Sequence, residues 1–129
     1  MRTAGALDCR PVAERAQKVV IRDGAARLFR SRWGAQSCLG VLGQGEAGLF
    51  EDLKSSEATE EWWDNSFCEG GYLVNFDAQT ILVYSWDDAI VKETKPAISA
   101  AWPGWKVVEV SEGIKEFRAH VSQHGPDAA

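Results

Sequence analysis

Residues Gly43 to Gly48 read GQGEAG, the G-x-G-x-x-G spacing by which dinucleotide-binding folds bring backbone N–H groups against a pyrophosphate. That chemistry needs a strand before the glycines, a helix after them, and a parallel second strand ending in an acidic residue about 20 positions on. Here the preceding run SCLGVL is short and glycine-interrupted, and the region at the required distance, EEWWDNSF, reads as helix or loop. Glu46 lies inside the loop and Glu51 and Asp52 follow it, so carboxylates oppose the anion that a helix N-terminus would attract. The glycines therefore read as a connector. A small nucleotide- or ligand-binding protein using the Gly43–Gly48 loop is the alternative to keep in view.

Other chemistry-bearing groups are weaker. His120 and His124 share one helical face at i, i+4, but zinc needs three or four ligands and nothing in the sequence supplies the rest. Cys9, Cys38 and Cys68 are odd in number and widely spaced, which fits buried reduced thiols better than a disulfide framework. Carboxylates abound in residues 46–69, yet no pair stands out as an acid and base. The reading is of no catalytic residue, no metal and no cofactor, hence not an enzyme.

Charge is segregated along the chain. Residues 1–40 carry eight basic side chains against three acidic ones, residues 41–90 carry Lys54 alone against eleven carboxylates, and the remainder balances, for a net charge of -5. A nucleic-acid binder would draw on Arg2, Arg10, Arg15, Lys18, Arg22, Arg27, Arg30 and Arg32, with Arg30 and Arg32 on one strand face. The overall acidity weighs against it. More distinctive is EATEEWWDNSFCEGG, where two indoles sit among carboxylates. Aromatic anchors with a charged rim are how protein interfaces are built. The candidate partner-binding residues are Glu57, Glu60, Glu61, Trp62, Trp63, Asp64 and Glu69, joined by Trp86, Asp87 and Asp88. They favour a partner with a basic surface.

These residues need a frame. The Asp23-Gly24 pair between KVVIR and AARLF predicts a hairpin, because a tight turn needs residues that tolerate positive φ. Leu49, Phe50 and Leu53 predict a short helix, and Ser56 a cap for a second helix beginning with Glu57 and Glu60. GGYLVNF and TILVYSW predict a second hairpin turning at Asp77-Ala78-Gln79, the latter run suiting a central strand. Lys95-Pro96 predicts extended backbone followed by a helix through PAISAAW that stops at Pro103-Gly104. A strand from Val107 to Val110 and a helix capped by Ser111, with Ile114, Phe117 and Val121 on one face, complete the order ββ, α, ββ, α, β, α. This is an α+β class: one domain over residues 18–125, with an antiparallel or mixed sheet built from hairpins and helices packed on it. Residues 1–17 read as an arm or short helix and 126–129 as a tail. No apolar run spans a bilayer and the N-terminus lacks an apolar leader core, so no membrane and a cytoplasmic location are expected. Six tryptophans exceed what so small an interior encloses easily, so some should reach the surface.

Three stretches, SRWGA (Ser31 to Ala35), EGGYLVNFDAQTILVYS (Glu69 to Ser85) and PGWKVVEVSEGIKEFRAHV (Pro103 to Val121), resemble small bacterial immunity-type proteins of polymorphic toxin systems. The shared motifs are structural and carry over no active-site residue. The resemblance implies a protein that neutralises one cognate toxin or effector by binding it, often over the toxin's active site.

Overall fold

A computed structural model describes residues 15–31, 38–63 and 68–124. Along the chain run β1 (Ala16–Arg22), β2 (Ala25–Ser31), α1 (Cys38–Leu42), α2 (Gly45–Lys54) and β3 (Glu57–Thr59). Then follow β4 (Gly70–Asn75), β5 (Thr80–Ser85), α3 (Asp88–Ala101), β6 (Lys106–Glu109) and α4 (Ile114–His124). The strands form one mixed sheet in the order β3-β2-β1-β4-β5-β6, giving a single α+β domain. Both expected hairpins are present, and each has a residue at positive φ where its turn needs one: Asp23 at 56° and Gly24 at 78°, then Gln79 at 51°. The pairs β1·β4 and β5·β6 are parallel, which places the first hairpin beside the second. β1 begins at Ala16, inside the stretch expected to be an arm.

Side-chain alternation divides the core into two layers. Val20, Tyr72, Val74, Ile81 and Val83 face one way and are covered by Leu39 and Leu42 of α1, Leu49 of α2, and Val91 and Ile98 of α3. Val19, Ile21, Leu28, Leu73 and Leu82 face the other way, against Phe117 and Val121 of α4. Coverage on both faces is why β4 is buried at every position, Asn75 included. A single helix cannot cover six strands. Clefts of about 470 and 390 Å³ flank α4, one lined by Trp62 and Arg118, the other by Val108 and His120.

Three expectations are corrected. The segment after Ser56 is a strand, because Glu57, Ala58 and Thr59 pair with Arg30, Phe29 and Leu28 at the open edge of β2. Helix α3 starts at Asp88 and runs through Pro96 to Ala101. Val91 and Ile98 are buried on either side of the proline, at 1% and 0% exposure, and bind the helix to the sheet across it. The Lys92 carbonyl that Pro96 cannot bond lies on an exposed stretch where water can serve it. Finally, α4 starts at Ile114, where the Glu116 carboxylate reaches back to accept from the Glu112 N–H at 2.6 Å, rather than from a Ser111 cap.

Candidate functional site

The starts of β1 and β4 and the ends of β2 and β5 lie together at one end of the sheet, since Ala16 pairs with both Ser31 and Gly70, and Gly70 with Ser85. Beyond them the backbone is stitched across strands. The Glu69 N–H donates to the Arg15 carbonyl (2.9 Å), the Arg15 N–H to Glu69 Oε1 (3.0 Å), and the Trp86 N–H to the Glu69 carbonyl (3.0 Å). Trp86 is thereby fixed in position while its side chain stays 59% exposed, the one exposed large hydrophobic among the described residues. Asp87 N-caps α3 by accepting from the Ala89 N–H at 3.0 Å, and its own N–H donates to Ser85 Oγ. Asp88 is exposed in the first turn. Glu69, Trp86, Asp87 and Asp88 thus form one contiguous, ordered surface.

The EATEEWWD segment divides. The Trp63 N–H donates to the buried Gln17 Oε1 at 2.7 Å, and the Gln17 Nε2 donates to the Phe29 carbonyl. Two guanidiniums lie over the Trp63 ring, Arg15 at 5.6 Å and Arg30 at 5.2 Å from its centroid. Its indole N–H is buried with no acceptor among the described residues. Arg30 also pairs with Glu57 (3.2 Å) and Glu61 (3.5 Å). Trp62 goes to the opposite face, against the α4 core layer, with Arg118 over its ring. Glu60 is exposed and lines the cleft beside it. Both indoles are half-buried, and Asp64 lies outside the described residues.

What the sequence reading missed here is Arg15, Gln17 and Arg30. They come from the basic third of the chain: the antiparallel β2·β3 pairing sets Arg30 opposite Glu57, and the parallel β1·β4 pairing brings Arg15 to Glu69, so charges segregated in sequence are interleaved in space. The remaining basic candidates do not extend this cluster. Arg22 and Arg27 lie at the other end of the first hairpin, Lys18 is buried, and Arg2, Arg10 and Arg32 lie outside the described residues.

A second polar cluster sits under α2. Lys18 Nζ is 2.8 Å from Asp52 Oδ2 and donates to Ser56 Oγ at 2.7 Å, while the Tyr72 hydroxyl donates to the same Asp52 oxygen at 2.7 Å. Burial, and then the Asp52 charge, push the Tyr72 phenol up, so it stays a donor. Burial likewise pushes the Cys38 thiol up to about 12 and that of Cys68 up to about 11, far from the thiolate a nucleophile needs. Each group in this network faces a partner inside the protein, and its role is to clamp α2 to the sheet.

The glycine motif begins in the turn after α1 and runs into α2, so a helix rather than a strand leads into it. A Cβ at Gly48 would run into the Val41 carbonyl, and one at Gly43 would crowd Ala97 of α3. Gly43 and Gly48 serve close helix packing, and Gly45 takes the positive φ of 75° at the start of α2. His120 Nε2 lies 3.0 Å from Asn75 Nδ2; because Asn75 Oδ1 accepts from the Ala78 N–H, that imidazole nitrogen is the acceptor. The side chain of His124 lies outside what the structure describes. Among the described residues no group of three His, Cys, Asp or Glu could hold a metal ion, and no helix is long and apolar enough to cross a membrane.

Comparison with protein-family models, with curated proteins and with solved structures finds no match.

Proposed function

We propose that this chain is a binding module of the immunity type, which neutralises a cognate toxic effector by docking through the sheet end that carries Trp86. One observation carries the reading: an indole 59% exposed, the one exposed large hydrophobic among the described residues, held by strand and helix-cap hydrogen bonds. A pre-ordered aromatic anchor loses little entropy on binding, and such residues dominate interface energetics. Asp87, Asp88 and the half-buried Glu69 beside it, with Glu60 and Glu61 further along, favour a partner with a basic surface. The resemblance to immunity-type proteins names the class of partner. Glu57, Glu61 and Trp63 hold Arg15 and Arg30 in place and form the margin of the surface rather than its centre.

The test co-produces the chain with the effector domain encoded beside it, scoring cell survival and measuring affinity by calorimetry. Trp86→Ala should weaken binding by ~30-fold or more, about 2 kcal/mol, and abolish protection. Asp87→Asn with Asp88→Asn, which leaves an oxygen to cap α3, should slow association and flatten its salt dependence. Wild-type affinity and protection in both variants would remove Trp86 from the interface. An effector that the wild-type chain neither binds nor neutralises would remove the immunity reading itself.

A further inference from the structure

The groove between the β1–β2 hairpin and α2 lies away from the docking surface and has a character of its own. Val20 and Phe29 from the sheet, with Phe50 and Leu53 from α2, floor a cavity of about 380 Å³, inside the ~300–1,000 Å³ range of small-molecule sites. The charged residues lining it are Arg22, Arg27 and Lys54, with no carboxylate among them. The Arg22 guanidinium lies over the Phe50 and Phe76 rings at 5.9 and 5.0 Å, and that of Arg27 over Phe29 at 5.3 Å. Neither guanidinium pairs with a carboxylate among the described residues, and Lys54 has only a solvent-exposed contact of 3.7 Å to Glu51.

In a chain of net charge -5, three cations converging on one apolar floor run against the overall balance. They repel one another until a negative charge is placed among them. A guanidinium stacked on a ring face still presents its N–H fork edgewise, the geometry that takes a carboxylate with two hydrogen bonds. The floor requires the opposite chemistry, an apolar body.

We propose that this groove binds a small amphipathic carboxylate, its apolar tail along Phe29, Phe50 and Leu53 and its charged head between Arg22, Arg27 and Lys54. The site is independent of the docking surface and of the effector reading. Decanoate, held below its micellar concentration, is the probe, titrated calorimetrically into the full chain beside decanol and decyltrimethylammonium. Decanoate should bind saturably at one site, about tenfold more tightly than decanol, since hydrogen bonds to a charged group are worth that much. The cationic amphiphile should not bind. Arg22→Gln with Arg27→Gln, both at exposed positions, should erase the tenfold preference while leaving decanol binding unchanged. Amide shift changes should centre on Ala25 and Leu53. Equal affinity for decanoate and decanol, wild-type affinity in the double variant, shift changes elsewhere, or no saturable binding would each overturn the assignment.

Discussion

Replacing Asp52 by asparagine removes the counter-charge of a lysine whose side chain is 3% exposed. Lys18 stands on the same face of β1 as Ala16 and Val20, under α2, and its ammonium meets Asp52 at 2.8 Å and the Ser56 hydroxyl at 2.7 Å. An amide in place of the carboxylate leaves a buried charge uncompensated, which costs about 3–5 kcal/mol. Lys18→Met leaves the complementary defect, but a milder one. Asp52 is 15% exposed and keeps the Tyr72 hydroxyl as donor, so the loss is that of hydrogen bonds to a charged group, about 1.5–3 kcal/mol. Removing both charges with Lys18→Met and Asp52→Asn should cost far less than the sum, because no buried charge is then left unpaired and the amide oxygen still accepts from the Tyr72 hydroxyl. Urea unfolding reads all three. With a slope of ~1.5 kcal/mol per molar, Asp52→Asn should lower the midpoint by ~2–3 M at constant slope. A shift below ~0.5 M for Asp52→Asn, or a double variant as unstable as the two singles added, would refute the clamp.

Two further predictions concern stability. Gly48→Ala should cost about 1–3 kcal/mol by forcing α1 and α2 apart, whereas Gly40→Ala, at an open exposed position in α1, should be neutral or gain up to ~1 kcal/mol; equal urea midpoints for the two would show that the motif's glycines are not there for packing. Cys38 and Cys68, pushed up by burial to about 12 and about 11 from 9.0, hold their protons in the native chain while the unfolded chain loses them. Their stabilisation is complete below pH 9.0 and is lost as pH rises through that window, at about 1.4 kcal/mol per pH unit for each thiol. Midpoints measured at pH 8 and 10 should therefore differ by less in Cys38→Ala than in the wild-type chain, and an unchanged difference would contradict the burial argument.

Local periodicity carried most of the fold. The apolar face of Ile114, Phe117 and Val121, the Asp23-Gly24 turn and the continuous run of TILVYSW each state their structure within a few residues. Pro96 misled because its local preference for a helix start is outweighed by burial of Val91 and Ile98 on either side of it. Ser56 misled because its hydroxyl is taken by Lys18 and by the Asp52 carbonyl, so it caps nothing downstream. Both are cases of tertiary contact overruling a local signal. At the candidate site, indoles among carboxylates were legible. Their pairing with Arg15 and Arg30 was not, because it depends on strand pairings between residues far apart in the chain, 27 for Arg30 and Glu57 and 54 for Arg15 and Glu69.

The two proposed surfaces depend on different parts of the fold. The groove exists because α2 stands at a set height above β1 and β2: Asp52 lies between Phe50 and Leu53 in the helix, and Lys18 and Val20 are neighbours on one strand face. The buried ion pair therefore sets the distance between the two apolar walls, a specificity role for a contact whose net contribution to stability is small beside its desolvation cost. Trp86 is held by the Glu69 carbonyl, by Ser85 and by the cap of α3, none of which bonds Lys18 or Asp52. Loosening α2 should deform the groove and leave the indole in place, so failure of one surface cannot be mistaken for failure of the other. On the two proposals together, an acidic sheet end bearing Trp86 and a cationic apolar groove beside α2 would be two recognition chemistries of opposite sign on one small sheet, kept apart by the length of the first hairpin.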